Sequence, residues 1–111
     1  MNPSLFRLST FETGQFADFR EIVCFVADGN YSLIYLNNGR ILVVSKCLEC
    51  LEQHVPENSF LRIHKSYLIN PRFVACLLAD KQLKLTNGAV YPISRRKWRQ
   101  TRLHFKSKTS L

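Results

Sequence analysis

Apolar runs in this chain are short, and nearly every one ends in residues that reverse the backbone. Ile22–Ala27 is closed by Asp28-Gly29-Asn30, Tyr31–Leu36 by Asn37-Asn38-Gly39, and Ser66–Ile69 by Asn70-Pro71. Asp80-Lys81 and Asn87-Gly88 then separate Phe73–Ala79, Leu83–Thr86 and Ala89–Ile93. Gly and Asn tolerate positive φ, and Pro can neither donate to a ladder nor continue a helix. Punctuation this frequent leaves no room for long helices and dictates short strands joined by tight turns. Ile22–Ala27 is apolar throughout, the pattern of a strand buried on both faces.

The remaining segments complete a mostly-β outline. Leu5–Ser9 reads as the first strand, Gly14 as part of a loop and Phe16–Arg20 as a short turn. Arg40–Val44 is the hairpin partner of Tyr31–Leu36, and Phe60–Ile63 is a further strand. Ser66–Ile69 reads as a short turn or helix. Two helices are expected. One covers residues 45–55, with Ser45 as N-cap, a stop before Pro56, and Cys47, Leu48, Leu51 and Val55 on one face. The other covers about 95–105, capped by Ser94, with Trp98, Thr101 and Phe105 on one face. Lys106–Leu111 should fray.

At 111 residues the chain is expected to form a single domain over 1–111, with its core over about 4–105. Its 46% hydrophobic content and eight Phe belong to a folding sequence rather than a disordered one. No run reaches the roughly 18 apolar residues of a membrane span, and the N-terminus lacks a signal pattern. A soluble, cytoplasmic protein without membrane insertion is the expectation.

Catalysis finds no footing. There is no glycine-rich phosphate loop, no nucleophile elbow and no paired carboxylates, so a non-enzyme without cofactor is expected. Of the four cysteines, Cys24 and Cys76 sit in strand-like runs as small hydrophobes. Cys47-x-x-Cys50 has the spacing of zinc and redox sites, but a metal would need two further ligands. His54 is the only candidate in the same helix, and His54, His64 and His104 share no ligand spacing. These thiols read as core or surface groups, with no metal site.

Charge is distributed unevenly. Residues 1–55 carry four Lys/Arg against six Asp/Glu, a balance of −2, whereas residues 56–111 carry twelve against two, a balance of +10, which together give the net +8. Such asymmetry favours a polyanionic partner. Two segments concentrate it. In Phe60–Val74 a strand ends by presenting His64, Lys65 and Ser66 from an apolar frame. In Pro92–Trp98 a strand runs into a helix that opens on Arg95, Arg96 and Lys97. Cations at a helix N-terminus oppose the macrodipole, at a cost of a few tenths of a kcal/mol or more. Placement against local preference points to function.

With the elements in order, the chain resembles the LytTR (LytR/AlgR-type) DNA-binding domain of bacterial transcriptional regulators. Asp28-Gly29-Asn30-Tyr31 is similar to the family's turn after a buried strand. Phe60-Leu-Arg-Ile-His-Lys-Ser-Tyr-Leu-Ile-Asn70 is similar to its F-x-R-x-H-x-S-x-x-x-N signature, and Tyr91–Arg96 to its Ser-Arg junction before the last helix. The resemblance covers about residues 4–105 and is to a stand-alone form without a receiver domain. It implies an elongated β-sandwich-like fold whose edge loops enter successive major grooves. It also implies repeated half-sites on double-stranded DNA, with a monomer or weak dimer off DNA.

Carried over by position, base contacts fall at Asn30 or Tyr31, at Lys65 and at Arg95. Arg95 suits guanine O6 and N7, a pairing that discriminates by roughly 1–3 kcal/mol, and Asn30 suits adenine N6 and N7. Lys65 suits phosphate or a guanine edge. Each has a plainer reading as a solvated helix-end, turn or surface residue, and Tyr31 as a packed ring. His64 either donates to DNA or braces the turn. Arg96, Lys97, Arg99 and Arg102 supply backbone attraction, with Arg62 and Arg72 flanking the second loop. Asn70 reads as a structural turn residue, and Trp98 and Phe105 as core. The alternative function is a protein-interaction or sensory module whose basic face meets a regulatory protein partner.

Overall fold

The computed structural model describes residues 5–7 and 16–106. Its strands are β1 (Leu5–Arg7), β2 (Phe16–Asp18), β3 (Ile22–Asp28), β4 (Tyr31–Leu36) and β5 (Ile41–Val44), then, after helix α1 (Leu48–His54), β6 (Leu61–His64), β7 (Tyr67–Ile69), β8 (Val74–Leu78), β9 (Gln82–Leu85) and β10 (Val90–Pro92), with α2 (Arg95–His104) last. All pairings are antiparallel, in a five-stranded sheet β5-β4-β3-β7-β6, a three-stranded sheet β10-β9-β8 and the pair β1-β2. The mostly-β expectation therefore holds, and the 42 × 28 × 24 Å extents are those of an elongated body.

The turns form as their residues require. Gly29 (φ 62°) and Gly39 (φ 91°) take backbone that side chains disfavour, and each reverses the chain between paired strands.

β3 lies at the centre and divides two cores. Ile22 and Phe25 face the first, with Ile34, Leu42, Val44 and Leu68 from the same sheet, under a lid of Leu48 and Leu51 from α1 and the following Val55. Val23 and Cys24 face the second, with Ile63 and Ile69, against Val74, Leu77, Leu83 and Leu85 of the small sheet and Ile93 and Phe105. Strict alternation would not send two successive residues to one side. A register irregularity between Ile22 and Cys24 does so, as a bulge adds one residue to one strand of a pair. Hence four successive residues from Ile22 to Phe25 are all at most 2% exposed, which is why this segment reads as uniformly apolar.

Asn70 knots the sheets together. Its side-chain oxygen accepts from Arg72 N–H (3.0 Å) and caps a 3-10 turn, Pro71–Phe73, that leads from β7 into β8. Its amide donates to Ile22 C=O (2.8 Å), where a matching 3-10 turn, Phe19–Glu21, enters β3. The structural role expected of Asn70 is thereby accounted for.

Several boundaries differ from the sequence expectations. Phe16–Asp18 is a strand rather than a turn, because β1 supplies its partner. Tyr67–Ile69 is a strand rather than a turn or helix, because β3 and β6 flank it on both sides. The first helix starts at Leu48, not Ser45, and its N-cap is Cys47. The buried Ser32 hydroxyl donates to Lys46 C=O (2.6 Å) and anchors that segment ahead of the helix. Cys47 therefore lies off the apolar stripe and is exposed, contrary to its expected place on the buried face. α2 matches its expectation, with Ser94 as N-cap, Thr101 and Phe105 buried and Trp98 packed against the second core. Leu8, Ser9, Gly14 and residues 107–111 lie outside the described residues.

Candidate nucleic-acid interface

Three backbone hydrogen bonds gather the basic loops at one end of the sandwich. Ala27 N–H donates to Ser66 C=O (2.9 Å), which ties the end of β3, and with it the Asp28–Tyr31 hairpin, to the β6–β7 turn. Ser94 N–H donates to Ile63 C=O (2.9 Å), which seats the start of α2 on β6. Ile93 N–H donates to Lys81 C=O (2.8 Å), adding the β8–β9 turn. The segments read from sequence as separate devices thus form one rim.

The β6–β7 turn is tightly braced. Arg62 donates from Nε to His64 C=O (2.7 Å), from one terminal nitrogen to Lys65 C=O (2.7 Å) and from the other to Glu52 Oε1 on α1 (2.8 Å). Ser66 N–H donates to His64 Nδ1 (3.1 Å). That bond assigns the neutral tautomer with its proton on Nε2, the nitrogen left to donate elsewhere. The His64 ring leans on Tyr67 at 5.1 Å, and Tyr67 stacks on Tyr91 of β10 at 4.4 Å. This ring column carries the turn's position across to the small sheet. Beneath Tyr91, the Cys24 thiol points at its hydroxyl (4.0 Å); burial pushes the Cys24 thiol up to about 11 and raises Tyr91 above the usual phenol range.

Between this turn and α2 lies a cleft of about 270 Å³, lined by Arg62, His64, Lys65, Ser94, Arg96 and Lys97, with Glu52 its one carboxylate. The Ser94 hydroxyl accepts from Lys97 N–H (3.3 Å), so the first turn of α2 is capped and points its N-terminal end this way. Both helix polarity and side-chain charge make the cleft attractive to anions.

The expected residues divide into three groups. His64, Lys65, Arg96 and Lys97 share the cleft. Arg95 and Arg99 do not line it; with Arg102 they follow i, i+4, i+7 spacing as an exposed stripe along α2. Asn30 and Tyr31 are exposed on the neighbouring hairpin, Tyr31 at 52%. Arg72 belongs to none of these groups, for it sits at the opposite end of β7 from Lys65 and does not flank that loop as expected. Arg62 flanks it, but with its donors turned into the protein.

Sequence reasoning missed the Arg62–Glu52 pair, ten residues apart, and the approach of Lys81. Asp80 (φ 62°) and Lys81 (φ 56°) both hold positive φ, which a non-glycine pair gives as a local sign of a tight turn but not of what the turn approaches. Among the described residues no cluster of His, Cys, Asp or Glu has the makings of a metal site, and no helix is long and apolar enough to cross a membrane.

A family model of the LytTr DNA-binding domain matches residues 15–106. A solved structure of a LytTr DNA-binding domain from Bacillus cereus superposes with a TM-score of 0.72 at 19% identity, covering 84% of this chain and 91% of that one. At that identity the likeness concerns the fold. A search of curated proteins returns no match.

Proposed function

We propose that this chain, which belongs to the LytTr DNA-binding domain family, is a sequence-specific transcriptional regulator that reads duplex DNA with loop side chains in successive major grooves. The observation that carries the reading is the convergence of three loops on one rim, bearing Asn30 and Tyr31, Lys65, and Arg95. Arg95 on guanine, Lys65 on guanine or phosphate, and Asn30 or Tyr31 on the adjoining step are the base contacts. His64 through Nε2–H, with Arg96, Lys97 and Arg99, contacts the backbone. The protein acts without catalysis, on repeated half-sites, and meets its DNA in the cytoplasm.

Charge supports a large salt-dependent component. Lys65, Arg96, Lys97, Arg99 and Arg102 each neutralising one phosphate gives log K against log salt a slope of about −4.5. Selection from a random duplex library at physiological salt tests the reading. An enriched motif, above all a direct repeat of fixed spacing, is the expected result. Salt-sensitive binding with no enriched motif removes the sequence-specific claim.

One observation favours the second reading, a protein-interaction module. Among the described residues β5 is an edge strand of its sheet, on which Ile41 (51%) and Val43 (48%) are exposed. Leu36 N–H donates to Arg40 C=O, and continuing that ladder turns the backbone groups of Ile41 and Val43 outward, as strand addition requires. Retrieval of an extended acidic peptide in place of a DNA motif is the outcome that belongs to this reading.

A further inference from the structure

Arg62 lines the basic cleft, yet the fold engages three of its five N–H donors with the protein's own acceptors. Its fork grips two successive carbonyls, His64 (2.7 Å) and Lys65 (2.7 Å), and its third bond reaches Glu52 (2.8 Å) on α1. The side chain is 21% exposed and Glu52 43%. A planar guanidinium offers donors in fixed directions, so this triple grip sets the β6–β7 turn relative to the helix. On the far side of the turn, Ser66 is held by His64 Nδ1 and Ala27 N–H. Lys65, between these anchors, is the turn's exposed residue.

We infer that Arg62 is a positioning residue: paired with Glu52, it locks the β6–β7 turn so that Lys65 is presented to DNA in one geometry, and it contacts no phosphate itself. This rests on the DNA reading above and adds two consequences. Arg62 contributes nothing to the count of neutralised phosphates, since Glu52 already balances its charge. Lysine cannot replace it, because an ammonium is a point donor with no fork to span two carbonyls.

Two measurements separate these claims. The first is amide hydrogen exchange of Ser66, with Ile34 in the centre of the sheet as internal reference. Arg62→Lys lowers Ser66 protection roughly tenfold or more, the effect of losing charge-assisted hydrogen bonds, while Ile34 stays protected. The gentler Glu52→Gln, on an exposed helix face, lowers it by a smaller factor and covers the case in which Arg62→Lys fails to fold. Unchanged Ser66 protection in the folded variants overturns the clamp.

The second measurement is the salt dependence of binding to a random-sequence duplex, which needs no known operator. Lys65→Gln flattens the slope by about 0.9, whereas Arg62→Gln leaves it at the wild-type value. Equal flattening by both makes Arg62 a phosphate contact and overturns the inference. If the wild type shows no salt-dependent duplex binding, the DNA reading fails, and Ser66 exchange alone decides the clamp.

Discussion

Replacing Asn70 by Ala should be among the most destabilising single changes in this protein, although no candidate DNA contact is touched. Asn70 is 3% exposed, and its side chain serves Ile22 C=O and Arg72 N–H at the junction of the sheets, with a longer 3.5 Å bond to Phe19 C=O. Ile22 C=O loses its 2.8 Å donor in a place no water reaches, since Ile22 is 0% exposed. An acceptor stranded in this way costs about 1–3 kcal/mol. Arg72 N–H loses its 3.0 Å acceptor but lies on an exposed residue where water can replace it, so that loss resembles a missing helix cap at about 1 kcal/mol. The sum is roughly 2–4 kcal/mol, and for a domain of this size each kcal/mol lowers Tm by about 4–8 °C. Thermal melting followed by circular dichroism should therefore show a fall of at least about 8 °C. Duplex affinity of the folded fraction should be unchanged at low temperature. A Tm within about 3 °C of wild type would refute the argument, for it would mean that the carbonyl finds another donor.

Further expectations follow from other sites. Among the described residues the buried Thr101 hydroxyl has no hydrogen-bond partner, so Thr101→Val should raise stability by about 1 kcal/mol; a drop in the denaturation midpoint would show that the hydroxyl is satisfied in solution. Burial raises the Cys24 thiol to about 11 and Tyr91 above the phenol range, so folding favours their protonated forms. The thiol's contribution to stability is complete below its unfolded value of about 9 and is lost as pH climbs through about 11. Cys24→Ala should flatten the decline of Tm between those limits, and an unaltered pH profile would exclude the thiol as its source. Exposed Cys47 should react with a thiol reagent in the native state while Cys24 reacts only on unfolding. Arg95→Ala should weaken binding to a selected motif by roughly 1–3 kcal/mol and to random DNA far less; equal losses would reassign Arg95 to the backbone.

Much of the scaffold can be read directly from residue order, because its causes are local. Gly29, Gly39, Asn87-Gly88 and Pro71 carry backbone preferences in their own chemistry, and Ser94 is chemically an N-cap wherever a helix follows it. The elements that escape such reading are those made by remote partners. Tyr67–Ile69 is too short to announce itself, and becomes a strand through two neighbours that lie on either side. The start of α1 is moved by Ser32, fourteen residues away, whose hydroxyl keeps Lys46 out of the helix.

The same division runs through the candidate interface. Charge placement and the signature around His64 and Lys65 identify which loops matter, since both are properties of the chain order itself. That Arg62 spends its donors on the protein's own acceptors, that Arg96 and Lys97 join Lys65 in a cleft while Arg95 and Arg99 lie outside it along α2, and that Arg72 lies at the opposite end of β7 from Lys65 are decided by packing. Side-chain type sets what a residue can donate. Which donors stay free is settled only when folding has matched the protein's own carbonyls and carboxylates, because a buried acceptor must be satisfied before a ligand can be.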